Sequence, residues 1–208
     1  MSTSRLMDRL VDTDVLVVRQ KFEMAELVGL ETRNKYAVED GRGVQLAWLA
    51  ESGRSLGALV FRSFLGHWRP FTIDVYLPDR AVGARLVHPF RFWLQRLEVV
   101  GDNGRLLGAL EQRFTFFSRQ FDIWGPDGEL IATAVGPFWR PWTFRLSRAG
   151  IDIAVVRKQW GGLLSEAFTD KDVFGVEIID APMSGRERLM LLAAAVFVDL
   201  MYFERKAD

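Results

Sequence analysis

Alternation of apolar and polar positions runs through most of the chain, and it recurs. Four stretches, Phe71–Phe90, Leu97–Phe117, Phe121–Trp139 and Phe144–Trp160, begin roughly 24 residues apart and share one layout. Each opens with apolar residues at alternate positions, such as Phe121 and Ile123 or Phe144 and Leu146, reaches a turn, and resumes with a second apolar-rich run. The turns are Pro78-Asp79, Asp102-Asn103-Gly104, Pro126-Asp127-Gly128 and Ala149-Gly150, residue types that reverse an extended chain tightly. This layout predicts a β-hairpin, and a period of about 24 residues holds two strands of ordinary length with their connections. A fifth hairpin is predicted over Tyr36–Ala50, turning at Asp40–Gly43, with further strands near Val15–Arg19 and Phe174–Ile178. About a dozen strands result, a number that an open sandwich and a closed barrel both accommodate.

The C-terminal part breaks the period. Ser184-Gly185-Arg186-Glu187 fits a helix-capping box, with Ser184 at the N-cap and Glu187 three residues on. The apolar run Leu189–Val198 follows, then Asp199, Leu200-Met201-Tyr202-Phe203 and the charged Glu204-Arg205-Lys206. Alanine, leucine and methionine favour helix here, predicted over residues 184–204. Apolar residues cover every face, so this helix must be enclosed on all sides by protein or by lipid. Its uninterrupted run is ten residues, where a bilayer needs about 20. Asp199 near the lipid core would add a cost of a few kcal/mol. A dozen strands closed into a barrel leave a lumen too wide for their own side chains, and a helix about 10 Å across fills it. Many strands need a plug, and an all-apolar helix needs a sleeve. The expected fold is mainly β: a twelve-stranded β-barrel enclosing a hydrophobic C-terminal helix. Residues 1–14 form a short N-terminal segment, and 15–208 a single domain.

Composition narrows the function. A hydrophobic fraction of 49% supports a substantial core. Lys and Arg number 27, as do Asp and Glu, so no net field draws the chain to nucleic acid or to acidic membranes; any such contact must come from a local patch. The lack of cysteine removes disulfides, thiolate catalysis, zinc–thiolate sites and S-acylation together. Met1–Asp14 holds Asp8, Asp12 and Asp14 and no apolar run, so no signal peptide is expected and a cytoplasmic setting is the default. The two histidines, His67 and His88, are flanked by aromatics or proline rather than acids. No nucleophile elbow, phosphate loop, zinc pattern or dinucleotide fingerprint occurs, and Gly41-Arg42-Gly43 reads as a turn. No catalytic residues are expected.

Aromatics are the compositional outlier, with 16 Phe and 7 Trp. Several stand beside a base: His67-Trp68-Arg69, Phe90-Arg91-Phe92-Trp93 and Phe138-Trp139-Arg140-Pro141-Trp142. Tryptophan suits the membrane interface and arginine suits phosphate. Trp139, Arg140 and Trp142, with Arg91 and Trp93 as a second group, are therefore candidate contacts to an anionic phospholipid membrane surface. Alternate aromatics on a strand also mark a core. Zero net charge argues against nucleic acid at the same clusters.

Several blocks, in order, resemble the phospholipid scramblase family of the tubby-like superfamily. Leu16–Tyr36 is similar to the family's opening R-Q strand and E-T-x-N-x-Y turn. Arg69-Pro70-Phe71-Thr72 and Val135-Gly136-Pro137 resemble its R-P-F-T and V-G-P blocks. Trp160–Gly175, WGGLLSEAFTDKDVFG, resembles a block reading W-x-G-x-x-x-E-A-F-T-D-x-D-x-F-G, and Asp199–Glu204 the closing D-x-M-(aromatic)-F-E. The resemblance implies a twelve-stranded barrel with its last helix inside, and lipid scrambling dependent on calcium. It also suggests Asp170 and Asp172 as first and third ligands of a weak calcium site, with Asp180 closing the loop and Glu177 an extra carboxylate. The residues themselves leave open a plain reading: a capped turn, Thr169–Asp172, leading into a strand. The palmitoylated cysteine cluster of animal relatives falls where this chain has His88–Trp93, so the acyl anchor is missing. Two functions follow: peripheral anionic-lipid binding with scrambling, or a soluble scaffold barrel that binds a protein partner and moves no lipid.

Overall fold

The alternating runs become strands where the pattern puts them, in a computed structural model that describes residues 1–20, 35–52, 70–140, 143–158, 173–179 and 182–202. The strands are β1 (Val15–Gln20), β2 (Lys35–Asp40), β3 (Gln45–Glu51), β4 (Phe71–Tyr76), β5 (Val82–His88) and β6 (Arg96–Gly101), then β7 (Leu106–Arg113), β8 (Ser118–Trp124), β9 (Leu130–Pro137), β10 (Thr143–Arg148), β11 (Ile151–Lys158) and β12 (Val173–Ile178). Each pairs antiparallel with its neighbours in sequence. β12 returns to β1, from Val15↔Glu177 to Arg19↔Val173, and closes the barrel. Closure decides against the open sandwich and leaves no sheet edge to template association.

Period-two patterning sends one residue in two to the inside. Ile73 and Val75 on β4, Leu97 and Val99 on β6, Phe121 and Ile123 on β8, and Phe144 and Leu146 on β10 are all buried in one core. Helix α2 (Gly185–Tyr202) supplies the centre of that core. From Leu189 to Val198 no residue is more than 3% exposed, which explains why the helix carries no polar stripe. Phe197 meets Phe121 edge-on at 5.2 Å, and Phe121 meets Phe144 at 5.9 Å. Glycine makes room for two of these contacts. A Cβ on Gly108 would stand 2.8 Å from the Met190 methyl group, and one on Gly136 would stand 2.6 Å from the Phe144 ring. The capping box forms as its spacing implies: Glu187 Oε2 accepts from the Ser184 N–H at 2.8 Å and from its hydroxyl at 2.7 Å. Burial works to raise the Glu187 carboxyl, but those Ser184 bonds and the Arg148 guanidinium together hold it below the usual range.

The first residues do more than precede the barrel. Ser2–Leu10 is a helix, α1, whose Leu6 and Leu10, one turn apart, are fully buried. It packs against α2 and β5 beside the entry of α2, and Gly83 and Gly185 are the close approaches: a Cβ there would stand 2.9 Å from Leu6 and 2.2 Å from the Met7 carbonyl. Asp102 holds the start of α1, accepting from the Thr3 hydroxyl at 2.8 Å, the Met1 ammonium at 3.0 Å and the Ser2 N–H at 2.7 Å. The Thr3 hydroxyl first, then that ammonium, keep its carboxyl far below the ordinary range. Arg188 of α2 donates to the Thr13 carbonyl, tying the two helices' ends together.

Candidate functional site

Antiparallel neighbours force successive connections to alternate between the two ends of the barrel. The end covered by α1 takes the connections after β2, β4, β6, β8 and β10, all tight turns with left-handed Gly43, Arg80, Gly104, Gly128 and Ala149-Gly150. These stand where the alternation pattern places them. They carry both signs: Asp79, Asp102, Asp127 and Glu129 stand in them with Arg42, Arg80 and Arg105. The connections after β1, β3, β5, β7, β9 and β11 leave the opposite end, and those after β5, β7 and, up to Arg140, β9 are described.

That opposite end is aromatic. Phe90, Phe92 and Trp93 follow β5, Phe114, Phe116 and Phe117 follow β7, and Phe138 and Trp139 follow β9; all are exposed, with Trp93 at 77%, Trp139 at 79% and Phe117 at 87%. Every exposed aromatic among the described residues lies in these three loops. The loops themselves contain two charges, Arg91 and Arg140, both exposed, and no acid.

The loops are held at their bases while their tips stay exposed. His88, fully buried, stacks on Phe71 at 4.7 Å, and its Nε2 pairs with Gln95 Oε1 at 2.9 Å. Gln95 donates Nε2–H to the Trp93 carbonyl at 3.2 Å, and its own carbonyl accepts the Gln112 N–H at 2.8 Å. This bonding fixes both ends of the loop carrying Arg91 and Trp93. In the next loop the Thr115 hydroxyl donates to the Ser118 carbonyl, and Phe114 packs edge-on against Phe116 at 5.0 Å. In the third, Arg140 donates N–H to the Pro137 carbonyl at 3.1 Å, and Arg119 at the start of β8 lies 5.8 Å from the Phe138 ring centroid. Beneath this rim the C-terminal turn of α2 carries Asp199, which is 7% exposed. Its carboxylate accepts from the Tyr36 hydroxyl at 3.0 Å and stands 3.9 Å from the Lys158 ammonium, as a buried carboxylate requires.

Of the lipid candidates, Trp139, Arg140, Arg91 and Trp93 are exposed at one end of the barrel, on two loops separated by the one after β7. Trp142 lies outside the described residues, as does His67-Trp68-Arg69. The loop Phe114–Phe117 was missed by sequence, because Phe114 and Phe116 continue the alternation of β7 and read as strand.

Three of the four metal candidates, Asp170, Asp172 and Asp180, lie outside the described residues. The fourth, Glu177, is on β12 and pairs with Arg157 at 3.1 Å. Among the described residues no group of three or more His, Asp or Glu is placed to hold a metal, and no helix is long and apolar enough to cross a membrane.

A closed antiparallel barrel filled by its own C-terminal helix, with exposed aromatics on three loops at one end, defines the class. Comparison with known proteins agrees. Residues 1–205 match the Scramblase family, and the chain belongs to it. It is 27% identical to phospholipid scramblase 1 of Mus musculus over 97% of its length, and spans 65% of the mouse protein. With phospholipid scramblase family member 5 of Homo sapiens the identity is 23%, over 95% of this chain and 77% of the human one. The X-ray structure of a protein from Arabidopsis thaliana superposes with a TM-score of 0.52 at 9% identity, covering 94% of this chain and 95% of that one; this likeness concerns the fold.

Proposed function

We propose that this chain is a peripheral phospholipid-binding barrel that docks on anionic bilayers through Trp139, Arg140 and Trp142, with Arg91 and Trp93 as a second contact. One observation carries the reading: Trp139 and Arg140, and Arg91 and Trp93, distant in sequence, are exposed at the same end of the barrel, where the described loops carry no acid. Aromatics at the interface and arginines on phosphate supply short-range attraction, each base worth about 1 kcal/mol near an anionic surface. Such binding is reversible and weakens as salt rises.

Scrambling, the activity in the relatives' names, fits the same end. Helix α2 fills the lumen, so lipid headgroups have no path through the barrel. Scrambling would then act on the bilayer at the aromatic end. Calcium binding by Asp170 and Asp172 belongs to the same reading; both residues lie outside the described ones. The test is flotation with vesicles of phosphatidylcholine, with and without phosphatidylserine. Wild type should float with the acidic vesicles only, and a Trp139→Ala, Arg140→Glu double variant should float far less. A wild type that never floats refutes the lipid reading and leaves the partner-binding barrel.

A further inference from the structure

From the loop geometry we infer that Phe114–Phe117 is the element that inserts into the hydrocarbon of the bilayer, with Trp93 and Trp139 stopping at headgroup level on either side. The inference rests on the lipid reading and assigns depth and orientation to it.

Three observations support it. Barrel order runs from β5 to β10 without interruption, so the loop after β7 sits between the loops after β5 and β9. The middle loop is therefore flanked by Arg91 on one side and Arg140 on the other, an arrangement complementary to anionic headgroups around a central apolar tip. The side chains differ in the same sense: tryptophan has an N–H to satisfy and favours the interface, whereas phenylalanine has no polar atom to keep wet. Phe116 and Phe117 are highly exposed, yet the backbone beneath them is locked by the Thr115–Ser118 bond and the Phe114–Phe116 contact. An exposed but ordered apolar tip forfeits little entropy on insertion. A bilayer is the fitting occupant because the three tips are separate loops crowning a rim, and bases accompany them without acids. The barrel then stands with its α1 end turned away from the bilayer.

The chain has no cysteine, so one introduced at position 116 is the sole thiol. An environment-sensitive fluorophore on Phe116→Cys should shift to the blue on phosphatidylserine vesicles and be quenched by acyl-chain-brominated lipid. The same label on Asn103→Cys, in the tight turn after β6, should do neither. In flotation, Phe116→Ser with Phe117→Ser should lower partitioning by about tenfold or more per phenylalanine; both residues are exposed, and circular dichroism checks the fold. If wild type floats through Trp139 and Arg140 but the label at 116 is unquenched, or the double serine variant floats equally well, insertion is overturned while the lipid reading stands. If wild type never floats, both fail.

Discussion

Phe197→Ala tests whether the plug is part of the core. Phe197 is fully buried on α2 and meets Phe121 of β8 edge-on at 5.2 Å. Removing a buried ring from a packed interior costs about 3–5 kcal/mol, because transfer and cavity terms add. Roughly 0.5–1.5 kcal/mol of that belongs to the aromatic pair. Domain stabilities run to about 5–15 kcal/mol, so the loss is a large share of the total. With a urea slope of about 2–3 kcal/mol per molar, the unfolding midpoint should fall by about 1–2 M. The assay is urea unfolding followed by far-ultraviolet circular dichroism, on wild type, each single alanine variant and the Phe121→Ala, Phe197→Ala pair. The double variant should lose less than the two singles combined, by about the aromatic coupling. A midpoint within about 0.3 M of wild type, or strict additivity, would show that the helix does not share the barrel's core.

Three further outcomes are expected. Tyr36→Phe removes the hydroxyl that donates to Asp199 and should destabilise by about 1–3 kcal/mol, measured by the same unfolding curves. Asp102, Asp79 and Glu187 all have carboxyls held below their usual range. Their contribution is present above the unfolded carboxylate value of about 4 and is lost as pH falls through the lower folded values, so stability should drop below about pH 4. Asp102→Asn should flatten part of that slope. Calorimetry should show weak, millimolar calcium binding that Asp170→Asn with Asp172→Asn abolishes while Glu177→Gln does not; heat unchanged by the first pair removes those residues from any site.

Hairpins were legible because their turns are spelled locally: Asp40–Gly43 and Asp102–Gly104 carry the residues a tight reversal needs within a few positions. The plug was legible because Leu189–Val198 has no polar side to leave exposed. Features that depend on distant partners were not. Helix α1 is buried through Leu6 and Leu10 alone, a signal too thin to tell from a tail until β5 and α2 are placed against it. Asp199 announces only that it needs a partner; Tyr36 and Lys158 come from opposite parts of the chain. The aromatic end had the same difficulty. Phe114 and Phe116 read as the continuation of a strand, and the antiparallel order of the barrel carries them past its rim, beside Trp93 and Trp139.

Placing the filling of a barrel after all of its staves has a consequence for how the protein is made. Synthesis runs from β1 to β12 before α2 exists, and the edge of β1 that does not face β2 has to wait for β12. A nascent chain therefore presents twelve strands whose inward faces have nothing to pack on, including Phe121, Phe144 and Leu146. Chaperones that shield such faces are most needed in that interval. A stop codon just before Ser184 would leave a ring without a centre, and such a product belongs with the substrates of proteolysis rather than with shortened but working variants.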